Sequence, residues 1–303
     1  MLGFVFHFNR GAFLENAMRS VGRHASFPFI IFDDDSTDPE SLAALERLSK
    51  TFEVIQPTGP IARQAHTGGL QSNMWQAMAI ARSRGEDIVL FLQDDTQLVR
   101  DVTPKDLQIV RTGFQRPNAA CVISSNFLKK SEKGGLDHLL IKDVGKKIFE
   151  RHATNTMELG FRHGSFSDVG FFNTKLYFEQ IPKPYASEAQ AEVALRAKGF
   201  FMGQLYQPMS HWLPLPVTYR DRNRTWIVKA LDAIGGVGLH PIESLSEAQL
   251  QTLNSCCKEA PPYEMDFLSA PTVGRLRYWP VTGGKHALRA RYGLRRMLYH
   301  LLY

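Results

Sequence analysis

Long apolar runs are missing from this chain of 303 residues: none approaches the ~20 residues that a helix needs to cross a bilayer. The opening stretch, Met1-Leu2-Gly3-Phe4-Val5-Phe6, has neither a basic n-region nor a small-residue cleavage site, so no signal peptide is expected. Cysteine is scarce, with only Cys121, Cys256 and Cys257. Adjacent cysteines rarely pair, an odd count leaves one over, and no metal-ligand spacing appears, so reduced thiols and a cytoplasmic location are expected. No G-x-G-x-x-G follows the first apolar segment and no G-x-x-x-x-G-K-[ST] occurs anywhere, which removes the main support for dinucleotide-binding and P-loop readings. Acidic residues are absent from Phe267 to Tyr303, where seven basic ones stand. The rest of the chain holds 29 basic and 30 acidic residues, so the whole net charge of +6 originates in the tail.

What is present is an ordinary globular composition, 44% hydrophobic and 22% charged, in a chain long enough for one large α/β domain or a domain with an appendage. Short apolar runs at Phe4 to Phe8, Phe29 to Phe32, Phe52 to Ile55 and Ile88 to Leu92 read as strands. Between them, Ala12 to Arg23, Pro39 to Lys50 and Leu70 to Arg84 carry apolar residues at helical spacing. The alternation is β-α-β-α-β-α-β, which implies a mostly parallel sheet flanked by helices. In a sheet of order 3-2-1-4, ligands bind beyond the carboxyl ends of the strands, at the switch point between strands 1 and 4.

Two carboxylate clusters fall at those ends. Strand 2 runs into Asp33-Asp34-Asp35-Ser36-Thr37-Asp38, and strand 4 runs into Gln93-Asp94-Asp95. Ser36, Thr37 and Asp38 fit the roles of turn formers and helix caps. Asp33, Asp34, Asp94 and Asp95 fit those roles poorly, because crowded carboxylates repel unless a positive charge lies between them.

The run Phe6-His7-Phe8-Asn9-Arg10 resembles the first-strand end of the GT-A glycosyltransferases, especially family 2, which commonly read P-T-Y-N-R there. Phe32-Asp33-Asp34-Asp35-Ser36-Thr37-Asp38 is similar to that family's V-D-D-G-S-T-D, and Leu92-Gln93-Asp94-Asp95-Thr96 to its L-D-D-D-T, with Gln93 in place of the first aspartate. The resemblance covers residues 4–96 and implies a GT-A fold and transfer of a sugar from a UDP- or GDP-linked donor. It implies that Phe8 and Asn9 lie against the base, that Asp33 or Asp34 accepts from base and ribose, that Asp94 stands near the ribose or the metal's waters, and that Asp95 holds Mn²⁺ or Mg²⁺. A divalent cation stabilises the leaving diphosphate as a Lewis acid and is held by one or two carboxylates plus substrate phosphates. Arg63 has two readings, a partner for base or phosphate and a solvated surface side chain.

The second half continues the resemblance. Ser165 to Phe172 is similar to the strand that shapes the family's acceptor site, with Asp168 either touching acceptor or capping a turn. Tyr185 to Phe200 resembles E-D-x-D-L-x-x-R-x-x-x-G, but its catalytic acid position falls on Gln190, which cannot accept a proton. Glu188, two residues earlier, is taken as the base that an inverting transfer requires. Glu192 precedes Arg196 by four residues and equally reads as half of a helix-surface ion pair. His211 stands where many GT-A enzymes place a histidine near the metal or diphosphate, and equally reads as a hydrogen-bonded histidine beside Trp212.

The expected division is a catalytic domain over 1–215 (a nucleotide-binding half, 1–98, and an acceptor half, 99–215) and a C-terminal helical extension over 216–303. Lys285 to Tyr303 puts Ala287, Ala290, Leu294, Met297, Leu298 and Leu301 on one helical face and basic residues opposite. That pattern suits a helix in an anionic membrane interface, or one docked on its own domain, better than one that binds nucleic acid. The expected activity is a metal-dependent inverting glycosyltransferase acting on a glycan or lipid-linked acceptor, of the kind used to build bacterial surface polysaccharide. A nucleotide-sugar-binding protein that has lost its base, and a nucleotidyltransferase, remain as alternatives.

Overall fold

Strands made of consecutive Val, Ile, Leu and Phe are stable only when both of their faces are covered, and the intervening amphipathic helices provide that cover. In the computed structural model, residues 1–58, 69–129, 139–143, 145–153, 168–217, 233, 236–255 and 261–274 are described. The first half runs β1 (Leu2–His7), α1 (Gly11–His24), β2 (Phe29–Asp33), α2 (Pro39–Leu48), β3 (Glu53–Ile55), α3 (Leu70–Ser83) and β4 (Ile88–Gln93). Every one of these elements lies within a few residues of its sequence expectation, and β3, β2, β1 and β4 are neighbours in that order, all parallel.

The chain continues through β5 (Thr96–Leu98), α4 (Pro104–Phe114), β6 (Ala119–Ser124), β7 (Leu139–Asp143), β8 (Ile148–Ala153), β9 (Gly170–Asn173), α5 (Thr174–Gln180), α6 (Glu188–Ala197), β10 (Phe201–Leu205), β11 (Ser210–Trp212) and α7 (Glu247–Ser255). Among the described residues the main sheet has nine strands, ordered β3-β2-β1-β4-β9-β6-β10-β8-β7, and β11 pairs with β5 in a separate ribbon. Strand β9 is antiparallel to both β4 and β6, so it joins the parallel half to the rest. Gly170 permits this insertion: its φ is +151°, and a Cβ there would come within 2.4 Å of the Ile123 carbonyl oxygen.

Alternation along the strands makes two cores. Val5, Ile31, Leu90 and Leu92 face α1 residues Leu14, Ala17 and Met18. Phe4, Phe6, Phe32 and Phe91 face α3 residues Met74, Ala77 and Met78. Gly11 lets the start of α1 touch α2, since a Cβ would meet the Glu40 carbonyl oxygen at 2.5 Å. Helix α2 starts at Pro39 behind Asp38, whose carboxylate accepts from Ser41 N at 2.9 Å. Helix α4 starts with a capping box between Thr103 and Asp106.

A third core joins residues from both sides of position 215. Phe13, Val99, Phe127 and Leu213 pack with Ile242, Leu245, Leu253, Phe267 and Leu268. Hydrogen bonds fasten the same seam, with Leu245 N donating to Val99 O at 2.8 Å and Ile242 N to the Gln97 side-chain Oε1 at 3.1 Å. The basic stretch 285–303 lies outside the described residues. Among those described, no helix is long and apolar enough to cross a membrane.

Candidate active site

The carboxyl ends of β1, β2 and β4 open into one crevice, with the first turn of α3 on its far side. Its floor is a small cavity of about 50 Å³ lined by Phe6, His7, Phe8, Asp34, Leu70, Asn73 and Gln93. The backbone ladder extends one step past the strands, with Asp34 N donating to His7 O at 2.8 Å and Asp94 N to Phe6 O at 2.9 Å. Successive side chains therefore keep alternating across the sheet, and this decides which acid of each pair meets a ligand.

Asp34 lines the cavity, while Asp33 is fully buried in the turn that follows it. Asp33 accepts from Ser36 N at 3.0 Å and from Ser36 Oγ at 2.5 Å. Asp34 accepts from Gly69 N at 3.1 Å and from Asn73 Nδ2 at 3.0 Å, at the amino end of α3.

The same division separates Gln93 from Asp94. Gln93 lines the cavity, and Asp94 is fully buried beneath it. Asp94 Oδ2 lies 2.9 Å from His7 Nδ1 and accepts from Phe8 N at 3.3 Å; its Oδ1 pairs with Arg10. Asp94 thus ties His7, Phe8 and Arg10 together behind the cavity wall.

Arg10 bridges the acidic pair. Its guanidinium donates to Asp95 Oδ2 at 2.9 Å as well as to Asp94, and to the Val217 carbonyl oxygen at 3.1 Å. Burial works to discharge Arg10, but the charges of Asp94 and Asp95 outweigh it and raise its pKa above the ordinary arginine value. Asp95 Oδ1 is buried with no hydrogen-bond partner among the described residues. That single open oxygen fits a hard cation bound by one carboxylate oxygen and by substrate phosphates.

Phe8 lines the cavity. Asn9 clasps two loops: its Oδ1 accepts from Thr37 N at 2.8 Å and Asp38 N at 3.2 Å, and its own N–H donates to Ser36 Oγ at 3.0 Å. Its φ of 49° is left-handed, which asparagine tolerates. His211 is shut off from solvent between Phe127 and Trp212. Burial and then the charge of Lys129 push its pKa well down, so the imidazole stays neutral. Among the described residues no group of three or more His, Cys, Asp or Glu converges as a metal site. Arg63 lies outside them.

A second acidic group stands on the other side of α3. Gln71 Nε2, in the helix's first turn, donates to Asp168 Oδ1 at 3.0 Å. Burial holds the Asp168 carboxyl up at about 6, with the Gln71 bond opposing. Glu188 begins α6, and its side chain is reachable by solvent. Desolvation, then the charges of Asp168 and Glu192, raise its pKa well above the usual carboxylate value, against the pull of Arg151 and Lys129. Glu192 is buried and makes the i,i+4 pair with Arg196 at 3.6 Å. Gln190 is a cap residue: Ser187 Oγ accepts from its N–H at 3.3 Å, and its Oε1 accepts from Ala186 N at 3.1 Å.

From sequence, His7 and Arg10 stand at the crevice without a role of their own, and Asn73, Gln71 and Arg151 are not singled out. For His7 and Arg10 a signal was present, since both flank Phe8-Asn9 in the first strand-end motif. Asn73 and Gln71 carry no local signal, because their partners are 39 and 97 residues away.

No protein-family model matches the chain, and no curated protein does. Among solved structures it is similar to S. aureus TarS, at 14% identity and a TM-score of 0.43 over 84% of this chain and 42% of that one. S. aureus TarS 1-349 in complex with UDP is 13% identical, with a TM-score of 0.46 over 69% of this chain and 59% of that one. A nucleotidyl transferase from Methanothermobacter thermautotroptrophicus is 12% identical, with a TM-score of 0.36 over 68% of this chain and 88% of that one. The chain thus spans less than half the length of full TarS. The strand order, the antiparallel β9 beside β4 and the crevice at the strand ends make this an α/β fold with a mixed sheet and its candidate site at the switch point.

Proposed function

We propose that the chain is a glycosyltransferase that binds a nucleoside diphosphate sugar in the crevice between β1, β2, β4 and α3. One observation carries this reading: the first turn of α3 holds Asp34, at the cavity, through Asn73 and holds Asp168 through Gln71, so one element fixes an acid on each side of itself. The aromatic rim at Phe8 suits a base face, and Asp34 suits donors on the base or ribose. The UDP bound to TarS supports a uridine nucleotide as the first ligand to try.

Transfer requires the acceptor hydroxyl to lose its proton as its oxygen attacks the anomeric carbon and the diphosphate departs. Glu188 takes that proton, giving inversion, and its raised pKa makes the ionised form a stronger base. Asp168 and Glu192 act on the acceptor side by keeping Glu188 basic. On the donor side Arg10 holds Asp95 in place, and Asp95 is the residue that would hold Mn²⁺ or Mg²⁺. When bound, the cation supplies Lewis-acid stabilisation to the leaving diphosphate. The acceptor is a glycan or lipid-linked sugar, and the basic stretch 285–303 brings the enzyme to an anionic membrane surface.

The binding-only alternative is favoured by Gln190, which occupies the family's catalytic position and is spent on capping α6. Donor hydrolysis without acceptor separates the two. Slow release of sugar from the nucleotide, lost in Asp95→Ala, supports the transferase. Nucleotide binding with no turnover under any condition supports the binding protein.

A further inference from the structure

Arg10 occupies ground that a cation would otherwise take. Its guanidinium touches both Asp94 and Asp95, is itself buried, and lies 5.2 Å from the Phe13 ring centroid. Asp94 spends its other oxygen on His7 and Phe8. Asp95 Oδ2 is committed to Arg10, so Oδ1 is the single oxygen of the pair without a described partner. One monodentate oxygen beside a fixed positive charge is a poor site for a divalent ion, whose affinity rises with the number and charge of its oxygen ligands. Phosphate oxygens change both quantities, since a diphosphate adds ligands and negative charge at once.

On the reading proposed above, and resting on it, we infer that Arg10 is a positioning residue that makes divalent-cation binding conditional on the nucleotide diphosphate. The guanidinium holds Asp95 in one orientation, neutralises the pair when the crevice is empty, and leaves the cation too few protein ligands to bind alone. Linkage is reciprocal, so the cation then strengthens nucleotide binding by the same factor. Replacing Arg10 by a neutral side chain frees both oxygens of Asp95, adds one unit of net negative charge and makes the pair attractive to a cation with no nucleotide present.

The test is Mn²⁺ titration followed by electron paramagnetic resonance of the free ion, with and without UDP or GDP, on the wild type, Arg10→Gln and Arg10→Lys. Far-UV circular dichroism checks folding. The wild type is expected to bind Mn²⁺ at least about tenfold more tightly with nucleotide than without. Arg10→Gln is expected to tighten nucleotide-free binding by about tenfold and to narrow that gap, through the added ligand charge. Arg10→Lys, a single-point cation that cannot bridge two carboxylates, falls between and carries the test if Arg10→Gln does not fold. Equal Mn²⁺ affinity of the wild type with and without nucleotide overturns the inference. So does a folded Arg10→Gln that binds free Mn²⁺ no more tightly. Nucleotide binding is measured separately by calorimetry: failure of both nucleotides to bind the wild type there overturns the proposed function instead, and equal Mn²⁺ affinity counts against the inference only where a nucleotide binds.

Discussion

His7 Nδ1 lies 2.9 Å from Asp94 Oδ2, with both side chains sealed from solvent, and this pair ties the end of β1 to the end of β4 beneath the crevice. A carboxylate only accepts, so the hydrogen sits on Nδ1. Together with Arg10 the pair makes Asp94 a buried anchor. Asp94→Asn leaves a buried guanidinium short of its anion and is expected to cost roughly 3–5 kcal/mol, the range for breaking a buried pair. Urea denaturation checks this. A loss below about 1 kcal/mol, the range of exposed pairs, would show that the contact is not a structural one.

Asp33 and Asp34 should separate under substitution. Asp33→Asn disturbs the Ser36 turn and is expected to lower the urea midpoint while folded protein keeps its nucleotide affinity. Asp34→Asn is expected to weaken nucleotide binding by about tenfold, equivalent to ~1.4 kcal/mol. Calorimetric titration of both variants decides the matter; equal effects on binding would mean that both acids reach the ligand.

This contrast also shows what the sequence could convey. Strand order 3-2-1-4 was legible because Phe29-Ile30-Ile31-Phe32 and Ile88-Val89-Leu90-Phe91-Leu92 are too apolar and too short to be anything but buried strands. The acidic ends were legible for the same reason. The facing of each acid was not, because a one-residue change of register exchanges the two faces of a strand. The pleat turns Gln93 to the cavity and Asp94 to the interior, which their order in the sequence does not reveal. The link between α3 and Asp168 was invisible because it depends on β9 inserting antiparallel beside β4, a long-range event that no local pattern encodes.

Glu188 predicts a pH profile. The base works only when ionised, and its pKa is raised, so transfer is expected to increase with pH through a range above that of an ordinary carboxylate. The charge of Asp168 contributes to the rise, so Asp168→Asn is expected to move the acidic limb to lower pH. Glu188→Gln is expected to abolish transfer and leave nucleotide affinity unchanged. Profiles of kcat/KM for the three proteins check these outcomes; an acidic limb unmoved in Asp168→Asn would uncouple the two groups.

Arg100 and Asp106 set acid stability far from the crevice. Arg100 donates to both oxygens of Asp106 at 2.9 Å, and its Nε donates to Pro208 O at 3.0 Å. Burial opposes ionisation of Asp106, but Arg100 and Thr103 outweigh it and lower the pKa. A carboxylate depressed on folding contributes stability that is complete above its unfolded pKa, near ~4, and is lost as pH falls through the lower folded value. Asp106→Asn is expected to be less stable by roughly 3–5 kcal/mol at pH 7 and to show a flatter acid limb. Thermal melts between pH 2 and pH 7 measure it, with a parallel acid limb as the contrary result.

The most direct measurement is calorimetric titration of the wild type with UDP and with GDP, each with and without Mn²⁺, repeated on Asp95→Ala. One nucleotide is expected to bind tightly, Mn²⁺ to strengthen its binding, and Asp95→Ala to lose the Mn²⁺ effect while staying folded. Absence of binding by either nucleotide under every condition would contradict it.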